Sequence, residues 1–481
     1  MDSIWSTTSS LRERSRLPGD RETQVAVIGG GMAGILIAHT LQAAGLRVAV
    51  LEAGRIGSGQ SQHTTAKVTA QHGMCYDRLI RKLGAQKARQ YAQANLAACK
   101  ALDDLITTRG IDCDWQRQNA YVYGDDPAAL DREARAAALL GLPADRTDAS
   151  SLPFPAAGAV RFSDQAQFHP LKFLGALADG LTVYEQTPVL RVERDHLVTP
   201  WGTVRADRII FACHFPFVNI PGLYFARMYQ ERSYVLALEH TPPVDGMWIS
   251  ADGSGCSLRT WGTYLLLGGG HHRSGAHPGP SRYDWLRTQA RTFFPKSQER
   301  ACWSAQDCMT PDGVPYIGRY AAGRLNWYVA TGFNKWGMSG SMVAANLLSD
   351  DILNRSSDAA EVFSPSRFNP GMKAKSFLVE TTDMLANFIG GYVELAADTT
   401  GSLPPGEGRI LTVDGKRVGA YKDTDGTVYT VNPICSHMGC VLEWNRDENS
   451  WDCPCHGSRY DYTGRLLSGP AIQPLETNAA E

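Results

Sequence analysis

Two short clusters near the end of the chain hold the residue types with the most chemistry. They are Cys435-Ser436-His437 and, after an interval of 15 residues, Cys453-Pro454-Cys455-His456. Each cluster supplies one cysteine and one histidine to a set of Cys435, His437, Cys453 and His456. Such a set can seat a [2Fe–2S] cluster with two thiolates on one iron and two imidazoles on the other. Neutral imidazoles lower the negative charge around the metal, so the cluster holds an electron more readily than one bound by four cysteines. The same four residues could hold zinc. Zinc sites of two Cys and two His usually pair Cys with Cys and His with His, which is not the pattern here.

A second chemical signature lies near the start. Residues 24–29, Gln-Val-Ala-Val-Ile-Gly, form a β-branched apolar run expected to be a buried parallel strand. Gly29, Gly31 and Gly34 follow in G-x-G-x-x-G register, Ala33–Ala44 has helical composition, and Gly45 can end that helix. Arg47–Leu51 then reads as a second strand ending at Glu52. The glycines let backbone approach a pyrophosphate at the helix N-terminus, and the carboxylate can accept ribose hydroxyls. Strand, helix, strand and acid together make this a dinucleotide site. The nearest candidate for another, Tyr264-Leu-Leu-Leu-Gly-Gly-Gly270, runs into His271-His272-Arg273 and lacks the continuing glycine and the acidic second strand.

These sites need several domains to position them, and 481 residues suffice for two or three. A net charge of −2 gives no electrostatic reason to expect nucleic acid or an anionic membrane as a partner. No apolar run reaches membrane-span length, and the first twenty residues lack a signal-peptide core, so a cytoplasmic protein not integral to a membrane is expected. The first seven of the 11 cysteines, Cys75 to Cys308, are scattered and are expected to be small buried hydrophobes.

After Glu52, Arg55-Ile-Gly-Ser-Gly-Gln-Ser-Gln-His-Thr-Thr-Ala-Lys67 resembles the loop that leads past FAD in the D-amino-acid, glycine and sarcosine oxidase (DAO) superfamily. Downstream, Thr187–Val192 resembles its adenine-covering strand, and Ile209–His214 the strand returning to the cofactor. Asp312–Gly318 and Tyr328–Gly340 resemble its closing flavin motif, with a helix starting at about Gly337. The resemblance implies FAD contacts at Gly29, Gly31, Met32, Ala33 and Gly34, and at Glu52 and Ala53. It adds Thr64, Thr65, Ala66 and Lys67 in the loop, Val189 and Ala212 on the later strands, and Gly332, Gly337, Met338 and Ser339 at the closing turn.

The C-terminal segment, CSHMGC…CPCHGSRYDYTG, resembles high-potential Rieske domains such as those of the cytochrome bc complexes. That resemblance implies a loop-clamping disulfide between Cys440 and Cys455, and hydroxyl donors to the cluster at Ser458 and Tyr460. With the opening Met-Asp-Ser-Ile-Trp and the HTTAKVTAQHG run, the whole chain is similar to bacterial FAD-dependent oxidoreductases with a C-terminal Rieske domain.

The implied fold class is α/β plus all-β. A Rossmann-like FAD-binding domain (20–75, 150–220 and 305–355) interleaves with an α+β substrate domain (76–149 and 221–304). The Ala-rich segments 84–105 and 127–140 read as helices, and Arg232–Glu239 and Thr263–Leu267 as strands. A connector over 356–394, with helical patterning at Phe377–Phe388, leads to an antiparallel Rieske domain over 395–478.

Lys67 aligns with a basic residue that the sarcosine oxidase group places near flavin. His72 is a candidate base or a packed polar residue. His271 and Arg273 follow a strand that faces flavin in relatives, where an arginine could clamp a substrate carboxylate. Lys335 and Trp336 fall in the flavin-contacting turn. The expected function is oxidation of a small substrate, an amine or amino acid by resemblance, by hydride transfer to FAD. Electrons then pass singly through the cluster to an acceptor such as a ferredoxin, cytochrome or quinone. The alternatives are an O2-using oxidase with a peripheral cluster, an electron-carrier or redox-sensing protein, and a ferredoxin-fed reductase or oxygenase.

Overall fold

The computed structural model describes residues 2–276, 279–367, 403–413 and 415–477. The described chain forms two compact units. The first comprises residues 2–214, 233–271 and 286–367; the second comprises 215–232, the described part of 272–285, and the C-terminal residues from 403.

The first unit is built on two sheets. One has strands in the spatial order Tyr316–Arg319, Trp327–Thr331, Gly202–Phe211, Arg21–Ile28, Val48–Leu51 and Thr182–Tyr184. Its central four pairings are parallel, from Trp327–Thr331 across to Thr182–Tyr184. Parallel strands buried on both faces read as continuous apolar runs, and Val25–Ile28 and Val48–Leu51 are buried without interruption. Helix Met32–Ala43 follows the first strand and packs against helix Gly337–Ile352. Ala44 ends the former, with Gly45 at φ +91° just beyond.

The second sheet has nine strands and is largely antiparallel, although Met247–Ser250 runs parallel to Gln116–Gly124. It includes Lys67–Val68 paired with Gly158–Gln167, so Gly158–Gln167 lies in this sheet although 150–220 was expected in the FAD domain. Helices Ala85–Arg109 and Pro127–Leu139 fall in the Ala-rich segments. Strand Tyr229–Glu239 covers and extends the first expected there, and Tyr264–Arg273 begins one residue later than the second and runs beyond it. Thr187–Val192 is not a strand throughout: the strand is Arg191–Glu193, in a hairpin with His196–Thr199. Before it, Thr187 N–H donates to Glu52 O, which ties this segment to the acid-bearing turn. Of the first seven cysteines, five are buried, whereas Cys213 and Cys302 are only half-buried.

The N-terminus is tied into this unit. Trp5, fully buried, donates from Nε1 to Thr64 O at 2.7 Å and packs edge-on against Trp261 and His169. Truncating a tryptophan buried this way typically costs ~3–5 kcal/mol, and here the cost would fall on the loop before Lys67.

In the second unit, a three-stranded sheet (Gly408–Val413, Lys416–Lys422, Val428–Val431) accompanies a four-stranded one (Glu443–Asn445, Ser450–Asp452, Arg459–Asp461, Leu466–Ser468). All pairings are antiparallel. The core is aromatic, with Tyr421, Trp444, Trp451 and Tyr460 packed together. Phe377–Phe388, the rest of 356–394 beyond Arg367, and the start of the expected Rieske domain lie outside the described residues.

Candidate flavin site and iron–sulfur centre

The dinucleotide turn is constrained by backbone contacts. Gly29 has φ +109°, and a Cβ there would meet Ala212 O at 2.6 Å; one at Gly34 would meet Gly29 O at 1.9 Å. Both glycines are required by the protein's own packing. Gly31 differs: a Cβ there would meet only Ser61 Oγ, at 3.2 Å. Gly31 is the N-cap of helix Met32–Ala43, has no side-chain cap, and is followed by no acidic residue in the first turn. Such a helix end presents N–H groups suited to a pyrophosphate.

Glu52 accepts from Gly30 N–H at 2.6 Å and Gly54 N–H at 2.8 Å. Burial raises its pKa, and those N–H donors oppose the rise. Ala53 lies between the acid and Gly54. The sequence did not point to Ser61, whose Oγ accepts from Met32 N–H at 2.9 Å, nor to Glu185, which accepts from Ile56 N–H at 2.8 Å. Both are long-range contacts with no local pattern.

The loop that follows is pinned from outside. Besides Trp5 on Thr64, Trp303 Nε1 donates to His63 O at 2.9 Å. Thr64 Oγ1 accepts from Ala66 N–H, and Thr65 Oγ1 lies 3.4 Å from Lys67 Nζ. Burial, then the positive Arg259, pull the Lys67 pKa down to about 7, so its ammonium is poised to lose a proton near neutrality. Arg259 is fully buried and donates to Ala66 O at 2.8 Å. Val189 and Ala212 are buried.

His72 is engaged at both ring nitrogens. Nε2 lies 2.9 Å from Thr69 O and so must donate, leaving Nδ1 to accept from Tyr91 Oη at 2.7 Å. Burial holds it neutral, with its pKa lowered to about 3. The ring stacks on Trp336 with centroids 4.7 Å apart, and Ser339 Oγ is 3.2 Å from Nε2. Of its two expected roles, this geometry fits the packed polar residue: the ring braces the start of helix Gly337–Ile352 and has no free nitrogen for proton abstraction.

The turn before that helix places Gly332, Asn334 and Lys335 at positive φ, a concentration of uncommon backbone found at functional sites. The helix begins at Gly337, with Met338 and Ser339 buried in its first turn, no side-chain cap and no first-turn acid. Two helix N-termini without neutralising side chains, together with the glycine cradle, suit a dinucleotide carrying a pyrophosphate and an electron-accepting ring.

In the second unit the two Cys/His loops share one construction. Cys435 O accepts from Gly439 N–H at 3.0 Å, and Cys453 O accepts from Gly457 N–H at 2.9 Å. Cys435 N–H donates to Cys440 O and Cys453 N–H to Ser458 O, both at 2.8 Å. Gly439 and Gly457 take φ near +79° and +75°, which glycine adopts without strain. A disulfide joins Cys440 to Cys455 and clamps the loops together.

The four ligand candidates converge. The His437 and His456 rings lie 5.0 Å apart and nearly perpendicular. His437 Nδ1 and both nitrogens of His456 are buried without a hydrogen-bond partner among the described residues. Buried imidazoles without partners are costly unless they ligate something. Burial lowers both histidines, His437 to about 4 and His456 to about 3, the latter helped by His437 and Arg273, so both are neutral as metal ligation requires. Hydrogen bonding to Cys453 draws the Cys435 thiol down, with Tyr460 and Ser458 adding to it. Tyr460 Oη accepts from Ser436 N–H at 3.2 Å and lies 3.5 Å from Cys435 Sγ, which leaves its own hydrogen available to sulfur or to Ser436. This donor set fits a [2Fe–2S] cluster with two thiolates and two imidazoles.

Residues outside the C-terminal region complete this unit. Arg232 pairs with Glu448, which also accepts from Arg459 at 2.8 Å, and Arg459 reaches Asp452 at 2.9 Å. Two cations and two carboxylates thus balance in a largely buried network. Gln230 Nε2 donates to His456 O at 2.6 Å. Arg273 lies over the Tyr229 ring at 5.3 Å and contributes to the depressed pKa of His456. Arg273 thus lies within the cluster-bearing unit, close enough to the cluster loops to act on His456. His271, on the same strand, belongs to the first unit.

A glycine-cradled dinucleotide turn and a paired Cys/His centre in one chain define a flavin- and iron–sulfur-dependent oxidoreductase. Residues 24–351 match the FAD dependent oxidoreductase family (DAO), and residues 394–479 match the Rieske [2Fe-2S] domain. The chain belongs to the DAO family of FAD-dependent oxidoreductases and carries a C-terminal Rieske [2Fe-2S] domain. It is 38% identical to YhfW of Bacillus subtilis (strain 168), described as a Rieske 2Fe-2S iron-sulfur protein, over 99% of this chain and 97% of that one. It is 49% identical to cytochrome b6-f complex iron-sulfur subunit 1 of Nostoc sp. over 11% of this chain and 31% of that protein. Glycine oxidase from Geobacillus kaustophilus is similar in fold, with a TM-score of 0.62 and 21% identity over 73% of this chain and all of that one. L-proline dehydrogenase from P. horikoshii has a TM-score of 0.60 and 18% identity, covering 74% and 99% respectively. No helix among the described residues is long and apolar enough to cross a membrane.

Proposed function

We propose that this protein is a cytoplasmic dehydrogenase that oxidises an amine or amino acid and delivers the electrons singly to an external carrier such as a ferredoxin, cytochrome or quinone. FAD supplies the hydride acceptor and the [2Fe–2S] cluster a one-electron carrier. The chain's own residues bind, orient and tune. Gly29 and Gly34 let the turn close, Gly31 would leave room for the pyrophosphate, and the start of helix Gly337–Ile352 would stabilise negative charge on the ring. Lys67, poised near neutrality, adjusts the electrostatics beside it. Cys435, His437, Cys453 and His456 hold the cluster, with Cys440–Cys455 clamping their loops.

The observation that carries this reading is covalent continuity. Strand Gly202–Phe211, whose end closes on Gly29 through Ala212, runs directly into Phe215–Arg232, the segment that packs on the cluster loops. Glycine oxidase, L-proline dehydrogenase and L-amino acid deaminase among the fold relatives support an amino-acid-like substrate.

Anaerobic screening of amines and amino acids should find one that bleaches flavin absorbance first and the cluster bands second. Rapid stoichiometric O2 consumption with an oxidised cluster throughout would favour a plain oxidase instead.

A further inference from the structure

We propose that Asn219, a residue of the DAO-matched region, is an outer-sphere partner of the iron–sulfur cluster that sets the donor strength of His437. The inference rests on the reading of Cys435, His437, Cys453 and His456 as ligands. His437 Nε2 lies 2.9 Å from Asn219 Oδ1. A carbonyl oxygen can only accept, so Nε2 carries the proton and Nδ1 carries the lone pair. Nδ1 is the nitrogen left buried and unpartnered beside His456. Asn219 thus selects the tautomer that presents Nδ1 to iron and fixes the orientation of the ring.

Its own position is fixed too. Asn219 O accepts from Leu223 N–H at 2.7 Å, closing a turn whose chain continues to Gln230 and its bond with His456 O. The two histidines are treated unequally. His437 is held through its outer nitrogen, whereas both nitrogens of His456 lack a hydrogen-bond partner among the described residues, and its ring packs edge-to-face with Phe215 and Phe225. An acceptor on the outer N–H makes an imidazole a more basic metal ligand. A more basic ligand favours the oxidised iron, so Asn219 holds the reduction potential below that of a cluster with a free His437 edge. A segment of the flavoprotein part, absent from an isolated Rieske module, thereby adjusts the cluster.

The test uses full-length holoprotein and the variants N219L and N219D, with potentials measured at one pH by spectroelectrochemistry and signals by electron paramagnetic resonance. N219L loses the acceptor and should raise the potential; N219D replaces it with an anion and should lower it. The spread between the two should be at least tenfold in the one-electron equilibrium, about 59 mV. Iron and flavin content should match wild type. Pulsed measurements on 15N-histidine protein should show altered coupling of the remote nitrogen of His437 alone. Potentials equal to wild type in cluster-loaded variants would overturn the proposal. If N219L fails to load, the near-isosteric N219D decides by its sign. A wild type with no Rieske signal would instead overturn the ligand reading and this inference with it.

Discussion

Replacing Gly31 with valine is expected to give a folded protein that holds no flavin. Two glycines three residues apart differ in what surrounds them. At Gly31 a Cβ meets only the Ser61 hydroxyl, at 3.2 Å, which can move by a few tenths of an ångström. The added side chain projects instead over the N-terminus of helix Met32–Ala43, where the pyrophosphate must approach. At Gly34 a Cβ would lie 1.9 Å from Gly29 O, a backbone atom that cannot move without breaking the turn. Gly34→Val is therefore expected to cost more than about 4 kcal/mol and to fail in folding. Circular dichroism and bound-flavin absorbance separate the two outcomes. Full flavin occupancy in Gly31→Val would show that the pyrophosphate lies elsewhere.

Replacing His456 with Ala or Cys is expected to abolish the Rieske electron paramagnetic resonance signal entirely. His456 has both nitrogens buried and unpartnered among the described residues, and burial keeps the ring neutral. Its side chain has no hydrogen bond to lose among the described residues, so its replacement should act chiefly on the cluster and leave flavin in place. Metal analysis of anaerobically prepared wild type that found zinc and no iron would contradict this assignment.

The parts of both sites that lie in one stretch of chain could be read directly from residue order. The glycine turn, its helix, the second strand and Glu52 are local, since sequence spacing dictates their geometry; the strand Arg21–Ile28 and helix Met32–Ala43 fall within a few residues of expectation. The cluster loops are local for the same reason, each closed by a glycine four residues after its cysteine. What sequence order did not reveal is what distant segments bring. Trp5 on Thr64, Ser61 on Met32, Asn219 on His437 and Gln230 on His456 are side-chain contacts with no periodicity to announce them. Residue order also did not reveal that strand Tyr264–Arg273 spans both units, with the chain beyond His271 in the cluster-bearing one. Thr187–Val192 carries apolar residues that suit a strand, yet its first half is held by Glu52 O rather than by a ladder.

The central claim is that substrate oxidation and cluster reduction form one path. The most direct test compares wild type with a cluster-free His437→Ala variant, using stopped-flow flavin reduction by a bleaching substrate and steady-state turnover with a one-electron acceptor. The account predicts that the rate of flavin reduction is retained while turnover falls by at least about tenfold, an added barrier of about 1.4 kcal/mol. Turnover equal to wild type in the cluster-free variant would contradict it and leave the Rieske domain off the catalytic path.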